Sequence, residues 1–310
     1  MAMLKRNRNN YGFTLIELMI AMVIAGIVAA AIMMAFDSQQ KTQVNQQLVV
    51  EMQQDARAAL YLMQQDIRMA GYDDTWEDAN TDGVDDNRAT DGIDNDCDDS
   101  TNVDASDPFN DEANDIAGIV KAGPHLIQIR LDENRDRDFC DDNEFVTYAL
   151  ATGNTIGTID ADGLADTGAM ELWRGHIDSG NLERLAGSIQ AIAFAYAFDD
   201  DADGLVDTDA GGNIIWAFDS NDDGLLDKQL DSNTDGVIDE NDTPINLAAT
   251  VPISHIRAVR IWILARTRAP LRDHQYTKTY VVGDKVLTTA DDYERVLLTT
   301  TVNCRNLGLR

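Results

Sequence analysis

Four stretches of this chain space oxygen-bearing side chains as a hard cation requires. Asp78, Asn80, Asp82, Gly83 and Asp86 read D-x-N-x-D-G-x-x-D. The spacing recurs at Asp199, Asp201, Asp203, Gly204 and Asp207, and at Asp219, Asn221, Asp223, Gly224 and Asp227. A fourth copy is Asp231, Asn233, Asp235, Gly236 and Asp239, with Asp242 at loop position twelve. Alternate oxygens at positions one, three and five can wrap one cation, and glycine at position six makes the turn that brings later ligands round. Calcium takes six to eight such oxygens and suits these loops better than magnesium, so about three to five calcium ions are expected. Two patterns are weaker. Asp132, Asn134, Asp136 and Asp138 have Arg137 where the glycine should be, and Asp160, Asp162, Gly163 and Asp166 have Thr158 at the first position. Asp91 to Asp99 is acidic without clean spacing.

No copy carries the glutamate at position twelve of a full EF-hand loop. The loops resemble the short Asp-rich loops of thrombospondin type 3 and dockerin-like modules. Without metal, like charges at this density repel and disfavour order. Extracellular modules of this type bind calcium at roughly 0.1–1 mM, which fits external calcium and not the cytosol.

A second group of residues lies at the N-terminus. Lys5, Arg6 and Arg8 precede Gly12-Phe13, and an apolar run from Phe13 to Phe36 follows with Glu17 as its only charge. At about 1.5 Å per residue, such a helix crosses a bilayer, with the basic residues held in the cytoplasm. A secretory signal is cut after its apolar core; here the cleavage position precedes it, so the helix stays. Gly12, Phe13, Thr14, Leu15, Ile16, Glu17 and Leu18 resemble the class III signal of type IV pilins and pseudopilins. The resemblance implies cleavage after Gly12 and N-methylation of Phe13 by a prepilin peptidase. A carboxylate within a membrane span is costly unless paired. The amine that cleavage creates on Phe13 can pair with Glu17 of the same or a neighbouring subunit.

The net charge of −31 is local. Residues 73–115 hold 17 acids and one base, and residues 199–242 hold 15 acids and one base. The rest is a near-neutral body with an ordinary share of apolar residues, so a packed core is expected. No basic patch outside the leader supports nucleic-acid binding. Cys97, Cys140 and Cys304 suit an exported head, in which a Cys97–Cys140 disulfide is the first choice because Cys304 falls in a strand-like run. The four histidines are scattered, and no nucleophile elbow, phosphate loop or dinucleotide fingerprint occurs. An enzyme is not expected.

The elements that must position these residues follow. The apolar helix continues through residue 70, where Val44, Leu48, Met52, Ala56, Leu60, Met63 and Ile67 recur at steps of three or four. That is an amphipathic helix, and Gly71 stops it. Strand signals lie at 126–131, 144–150, 170–174, 189–198, 213–218, 255–267, 278–282 and 293–303. The expected fold is α+β, a type IV pilin fold with a long N-terminal helix packed on an antiparallel head. The organisation is leader 1–12, membrane helix 13–36, amphipathic continuation 37–71, and a β-rich head 72–310 with acidic inserts at 73–115 and 199–242.

Residues 57–72, RAALYLMQQDIRMAGY, resemble the segment after the helix in PilW-like minor pilins. HIRAVRIWILARTR and YERVLLTTTVNCRNLGLR resemble that family's C-terminal half. The J-type pseudopilin of type II secretion shares the leader and a similar helix end. The resemblance implies a minor pilin that helps start pilus assembly at or near the tip. Its implied partners are other minor pilins, the major pilin, the prepilin peptidase and the inner membrane. The head would be periplasmic before assembly and extracellular afterwards. A calcium-dependent tip adhesin is the overlapping alternative. The helix face of Val44, Leu48, Met52 and Leu60 is expected to meet the other subunits.

Overall fold

The computed structural model describes residues 13–71, 118–131, 144–152, 159–165, 170–176, 181–272 and 275–308. A single α-helix, α1 (Leu15–Met69), opens the chain. The chain divides into two compact units, Met1–Leu48 and Val49–Arg310. In the first unit the apolar side chains of α1 are exposed, among them Leu15, Ile20, Ile24, Ile27 and Phe36. This stretch is long and apolar enough to cross a membrane. An ion pair between Asp37 and Lys41, 3.0 Å apart, marks where the apolar run gives way to polar turns.

In the second unit α1 buries Met52, Ala56, Ala59, Met63 and Ile67. They form one stripe at steps of three and four, the face a helix presents to a core. The stripe starts later than the periodicity suggests. Val44 is half exposed, whereas Met52 is 3% exposed and Leu60 packs partly on the core. This corrects the expected assembly face, because Met52 and Leu60 are committed to the protein's own head. After α1 ends, Gly71 takes a positive φ of 74° and its N–H donates to the Arg130 carbonyl at 3.0 Å. The Asn306 side-chain amide donates to the carbonyls of Arg68 and Met69, both at 3.4 Å. Those carbonyls lack partners inside the helix.

Among the described residues the head has a main antiparallel sheet of ten strands. Strands β1 (Ile119–Ala122), β2 (Leu126–Arg130), β3 (Phe145–Ala151) and β4 (Met170–His176) follow one another to β5 (Asn181–Phe198). β5 is 18 residues long and serves several partners. Its first half pairs with β4, and Ile189–Phe198 pairs with β9 (Ile256–Arg266), which in turn pairs with β12 (Arg295–Asn303). Along β5, Ala193, Ala195 and Ala197 alternate with Ile192, Phe194, Tyr196 and Phe198, all buried. Such a continuous apolar run is the mark of a strand covered on both faces.

The small residues let other backbone come close. β10 (Tyr276–Val282) and β11 (Lys285–Asp291) form a separate hairpin whose turn residue Gly283 has φ 60°. A Cβ on Gly283 would lie 2.4 Å from that of Ala193, so only glycine fits.

The second acidic insert does not leave the sheet. It carries β6 (Ala217–Phe218) and β7 (Leu225–Gln229), and β8 (Ile245–Pro252) follows it. These add to β5 in the order β6, β7, β8, starting from the pair Tyr196 and Ala217. The strand signal at 213–218 shrinks to Ala217–Phe218, because the preceding residues turn around Asp209. Pairing of β7 with β8 is irregular: Leu226 meets Val251 and Lys228 meets Asn246, so residues 247–250 bulge opposite one residue of β7.

Candidate cation-binding loops and the N-terminal segment

Every connection among β5, β6, β7 and β8 contains an Asp-rich loop. Loop A (199–207) follows β5, loop B (219–227) follows β6, and loop C (231–242) lies between β7 and β8. Each begins with an aspartate only 3% exposed: Asp199, Asp219 and Asp231. In each, one oxygen of that aspartate accepts the N–H of the position-six glycine, at 3.1, 2.9 and 2.7 Å. The position-five aspartate accepts the N–H of position seven, from Leu205, Leu225 and Val237 at 2.8, 3.0 and 2.8 Å. The position-four residues Ala202, Asp222 and Thr234 have φ near +60°, and Gly204, Gly224 and Gly236 lie between 79° and 84°. One backbone shape therefore repeats three times. It is a tight turn in which the position-one and position-five carboxylates accept backbone N–H groups of the loop itself.

The loops differ in what completes them. In loop A, oxygens of Asp199, Asp201 and Asp203 lie within 4.8 Å of one another. Asp207 accepts the N–H of Asp200 at 3.1 Å and so closes that loop from position nine. In loop B, Asp227 accepts both the N–H and the hydroxyl of Ser220, at 2.9 and 2.6 Å. Asn221 donates to Asp223 there at 2.8 Å. In loop C the closing residue is Asp242, which accepts from Ser232 N–H and hydroxyl and from Asp239 N–H. Burial opposes ionisation of Asp242, but those donors hold its carboxyl below the ordinary range. The Asn233 side-chain oxygen Oδ1 accepts Asp235 N–H at 2.9 Å.

The weaker pattern has half of the same turn. Asp162 N–H donates to Asp160 and Leu164 N–H to Asp162, both at 3.0 Å, around Gly163 with φ 68°. Burial and the hydrogen bond shared with Asp162 push the Asp160 carboxyl up. Thr158 and Asp166 lie outside the described residues. So do the loop of Asp78, Asn80, Asp82 and Asp86, the run Asp132–Asp138, Asp91–Asp99, Cys97, Cys140 and Gly12. Cys304 sits one residue past β12, buried and free, and burial raises its thiol to about 12. An inert core thiol is the expected consequence.

At the N-terminus, Thr14 and Glu17 form a reciprocal cap on α1. The Thr14 hydroxyl accepts Glu17 N–H at 3.3 Å, while Glu17 Oε2 accepts Thr14 N–H at 2.9 Å and its hydroxyl at 2.8 Å. This is a capping box, T-x-x-E. Glu17 therefore caps the helix, and a threonine three residues before a glutamate is the sequence signal for it.

A second cluster has no such signal. Asp66, in the buried stripe of α1, accepts Tyr148 Oη at 2.6 Å from β3 and Arg174 Nε at 2.7 Å from β4. Burial and the Asp66 carboxylate push the Tyr148 hydroxyl well up, so it remains a donor.

An apolar, exposed N-terminal helix leading into an antiparallel sheet head is the plan of a type IV pilin-like protein. The sequence matches the prokaryotic N-terminal methylation motif over residues 7–33. It matches the Type IV Pilus-assembly protein W family over residues 160–306, a span that includes β4 to β12 and loops A, B and C. Over these two regions the chain is similar to type IV pilin-like, PilW-like proteins. No curated protein and no solved structure matches it.

Proposed function

We propose that this chain is a minor pilin that helps initiate a type IV pilus, sits at or near its tip, and has a head stabilised by calcium. The observation that carries the assembly role is the pairing of a methylation motif at 7–33 with a PilW match at 160–306 in one chain. That pairing favours a pilus subunit over the J-type pseudopilin of type II secretion. The tip position rests on charge. Residues 199–242 hold 15 acids against one base, and stacking many such heads along a filament would set like charges against one another. A subunit with nothing above it avoids this. Maturation follows from the motif: a prepilin peptidase cuts after Gly12 and methylates Phe13.

Calcium is supported by the threefold repeat of one loop geometry and by Asp231. Its Oδ1 is buried with no hydrogen-bond partner, an arrangement that a cation ligand requires and an Asx turn does not. A calcium-dependent adhesin is compatible with the same loops, and no surface feature among the described residues singles it out.

The test is a deletion strain with quantitative proteomics of sheared filaments. Loss or sharp reduction of pili, and a chain present at a small fraction of the major subunit, are expected. Normal piliation in the deletion strain would refute the assembly role. A chain making up most of the filament mass would refute the minor role.

A further inference from the structure

Loops A, B and C share a backbone shape but are not electrostatically equivalent. In loop A, Arg257 Nε stands 3.7 Å from Asp199 Oδ2, and His255 Nδ1 lies 3.3 Å from Asp200 Oδ1. In loop B, Lys121 Nζ pairs with Asp222 at 2.6 Å. Both oxygens of Asp219 are taken by backbone N–H groups, from Asn221 and Asp222 on one and Gly224 on the other. Loop C has neither form of compensation. Asp231 Oδ2 accepts Gly236 N–H, and Oδ1 is buried with no donor. Among the described residues, no Lys, Arg or His pairs with Asp231, Asp235, Asp239 or Asp242. A buried carboxylate oxygen without a partner is strongly unfavourable, so this is the loop in which a cation changes most.

Loop C also bonds to structure outside itself. It joins β7 to β8, a short pair interrupted by the 247–250 bulge. Two strands of this kind are marginal without further support. On its entry side, Gln229 Nε2 donates to the Asp231 carbonyl at 2.8 Å, and Leu230 N–H to the Trp216 carbonyl at 2.9 Å. On its outer side, Asn213 Nδ2 donates to the Thr234 carbonyl at 3.2 Å. Asp209 holds Asn213 in place by accepting its backbone N–H at 2.9 Å and its amide at 3.1 Å. Loop C therefore touches the turn that leaves loop A as well as its own two strands.

We infer that one calcium ion in loop C fastens the β7–β8 hairpin and the 207–214 turn to the rest of the head. The ion is taken up through Asp231 Oδ1, with the side-chain oxygens of Asn233 and Asp235 at positions three and five joining it, while Asp239 stays held by Asn241. This rests on the calcium reading given under Proposed function and adds which loop controls which part of the fold. When calcium is withdrawn, the carboxylates of Asp231, Asp235, Asp239 and Asp242 repel one another. Loop C opens first, Asn213 loses Thr234, and β8 leaves β7.

The test uses the full chain in detergent micelles, with hydrogen exchange read by mass spectrometry in calcium chloride or in a calcium chelator. Calorimetry on the same sample reports calcium binding. With calcium tenfold above its Kd, mass action slows exchange through local opening roughly 11-fold. That slowing is expected over residues 207–214 and 225–252, reversibly with chelation. Asp231→Asn keeps an acceptor for Gly236 N–H and removes the charge, and it should abolish the slowing in both segments. Glu240→Gln removes the same charge from an exposed side chain of loop C at a non-ligand position, and the slowing should persist. If calcium binds the wild-type chain and exchange in these segments is unchanged, the assignment to loop C is wrong while the calcium reading stands. The assignment is equally wrong if Asp231→Asn retains the slowing. If the wild-type chain binds no calcium, both fall. Should Asp231→Asn prove unfolded, Asp235→Asn, an exposed position of the same loop, takes its place with the same expected and overturning results.

Discussion

At Glu17 one carboxylate answers two needs. It caps the first turn of α1 through Thr14, and in the proposed mature chain it is the anion closest in sequence to the Phe13 amine. Glu17→Val removes both. Its greater hydrophobicity should leave membrane insertion intact, while incorporation into filaments should drop at least several-fold by immunoblot of sheared pili against membranes. Equal incorporation would show that neither the cap nor the pairing matters for assembly. The position-six glycines give a second residue-level contrast. Gly224 and Gly236 share a positive φ, so alanine at either is strained by about 1–3 kcal/mol. A Cβ on Gly224 meets nothing within 4 Å, but one on Gly236 would lie 2.6 Å from Asn213 Oδ1. Gly236→Ala should therefore lower the melting temperature more than Gly224→Ala, by circular dichroism in calcium. Equal losses would mean that Asn213 yields freely.

Among elements, the C-terminal part of α1 is held to the head by an apolar stripe and by polar contacts, of which the most buried is a clasp at Asp66. Asp66 breaks the stripe, yet it is buried and accepts from Tyr148 and Arg174, which reach it from two different strands. Asp66→Ala leaves Arg174 without its anion in a partly buried place and should cost about 3 kcal/mol, read by chemical denaturation. A change under ~1 kcal/mol would place the clasp among screened surface pairs. This clasp shows what the sequence conceals. The stripe of α1 is legible because Met52, Ala56, Met63 and Ile67 repeat at helical spacing, and the helix end is legible because Gly71 follows. Asp66 is not, since an acid in a helix reads as solvent-facing until the arginine 108 residues away is seen. Strands behave likewise. β2, β3, β9 and β12 are dense in β-branched and aromatic residues and stand out. β7 is LLDKQ inside a loop pattern, and β8 is INLAATVP with a bulge, so their strand character comes from neighbours and not from composition. The Asp loops are legible as spacing. Their difference is not, because Arg257, His255 and Lys121, which separate loops A and B from loop C, come from distant parts of the chain.

For the whole molecule the governing quantity is where its −31 charge resides. Residues 199–242 contribute almost half of it, and they build one side of the sheet through β6 and β7. Such a head can be stabilised in two ways that are physically separable. Monovalent salt screens carboxylates at any distance beyond about 8 Å at physiological ionic strength, with no need for geometry. A cation seated in a loop acts at contact distance, needs the ring of oxygens, and stabilises by mass action only the folded state. Calcium at ten times its Kd would add about 1.4 kcal/mol per site. We therefore expect calcium near 1 mM, the upper end for extracellular modules, to raise the melting temperature of the full chain in 150 mM sodium chloride by several degrees. Raising sodium chloride further, to match the added ionic strength, should do almost nothing. Magnesium at the same concentration should fall short of calcium, because it holds its own water and demands octahedral geometry. The measurement is thermal denaturation followed by circular dichroism across the three salts. If sodium reproduces the calcium shift, the acidic loops are a screened surface and not cation sites; if magnesium alone does, they are cation sites with no preference for calcium.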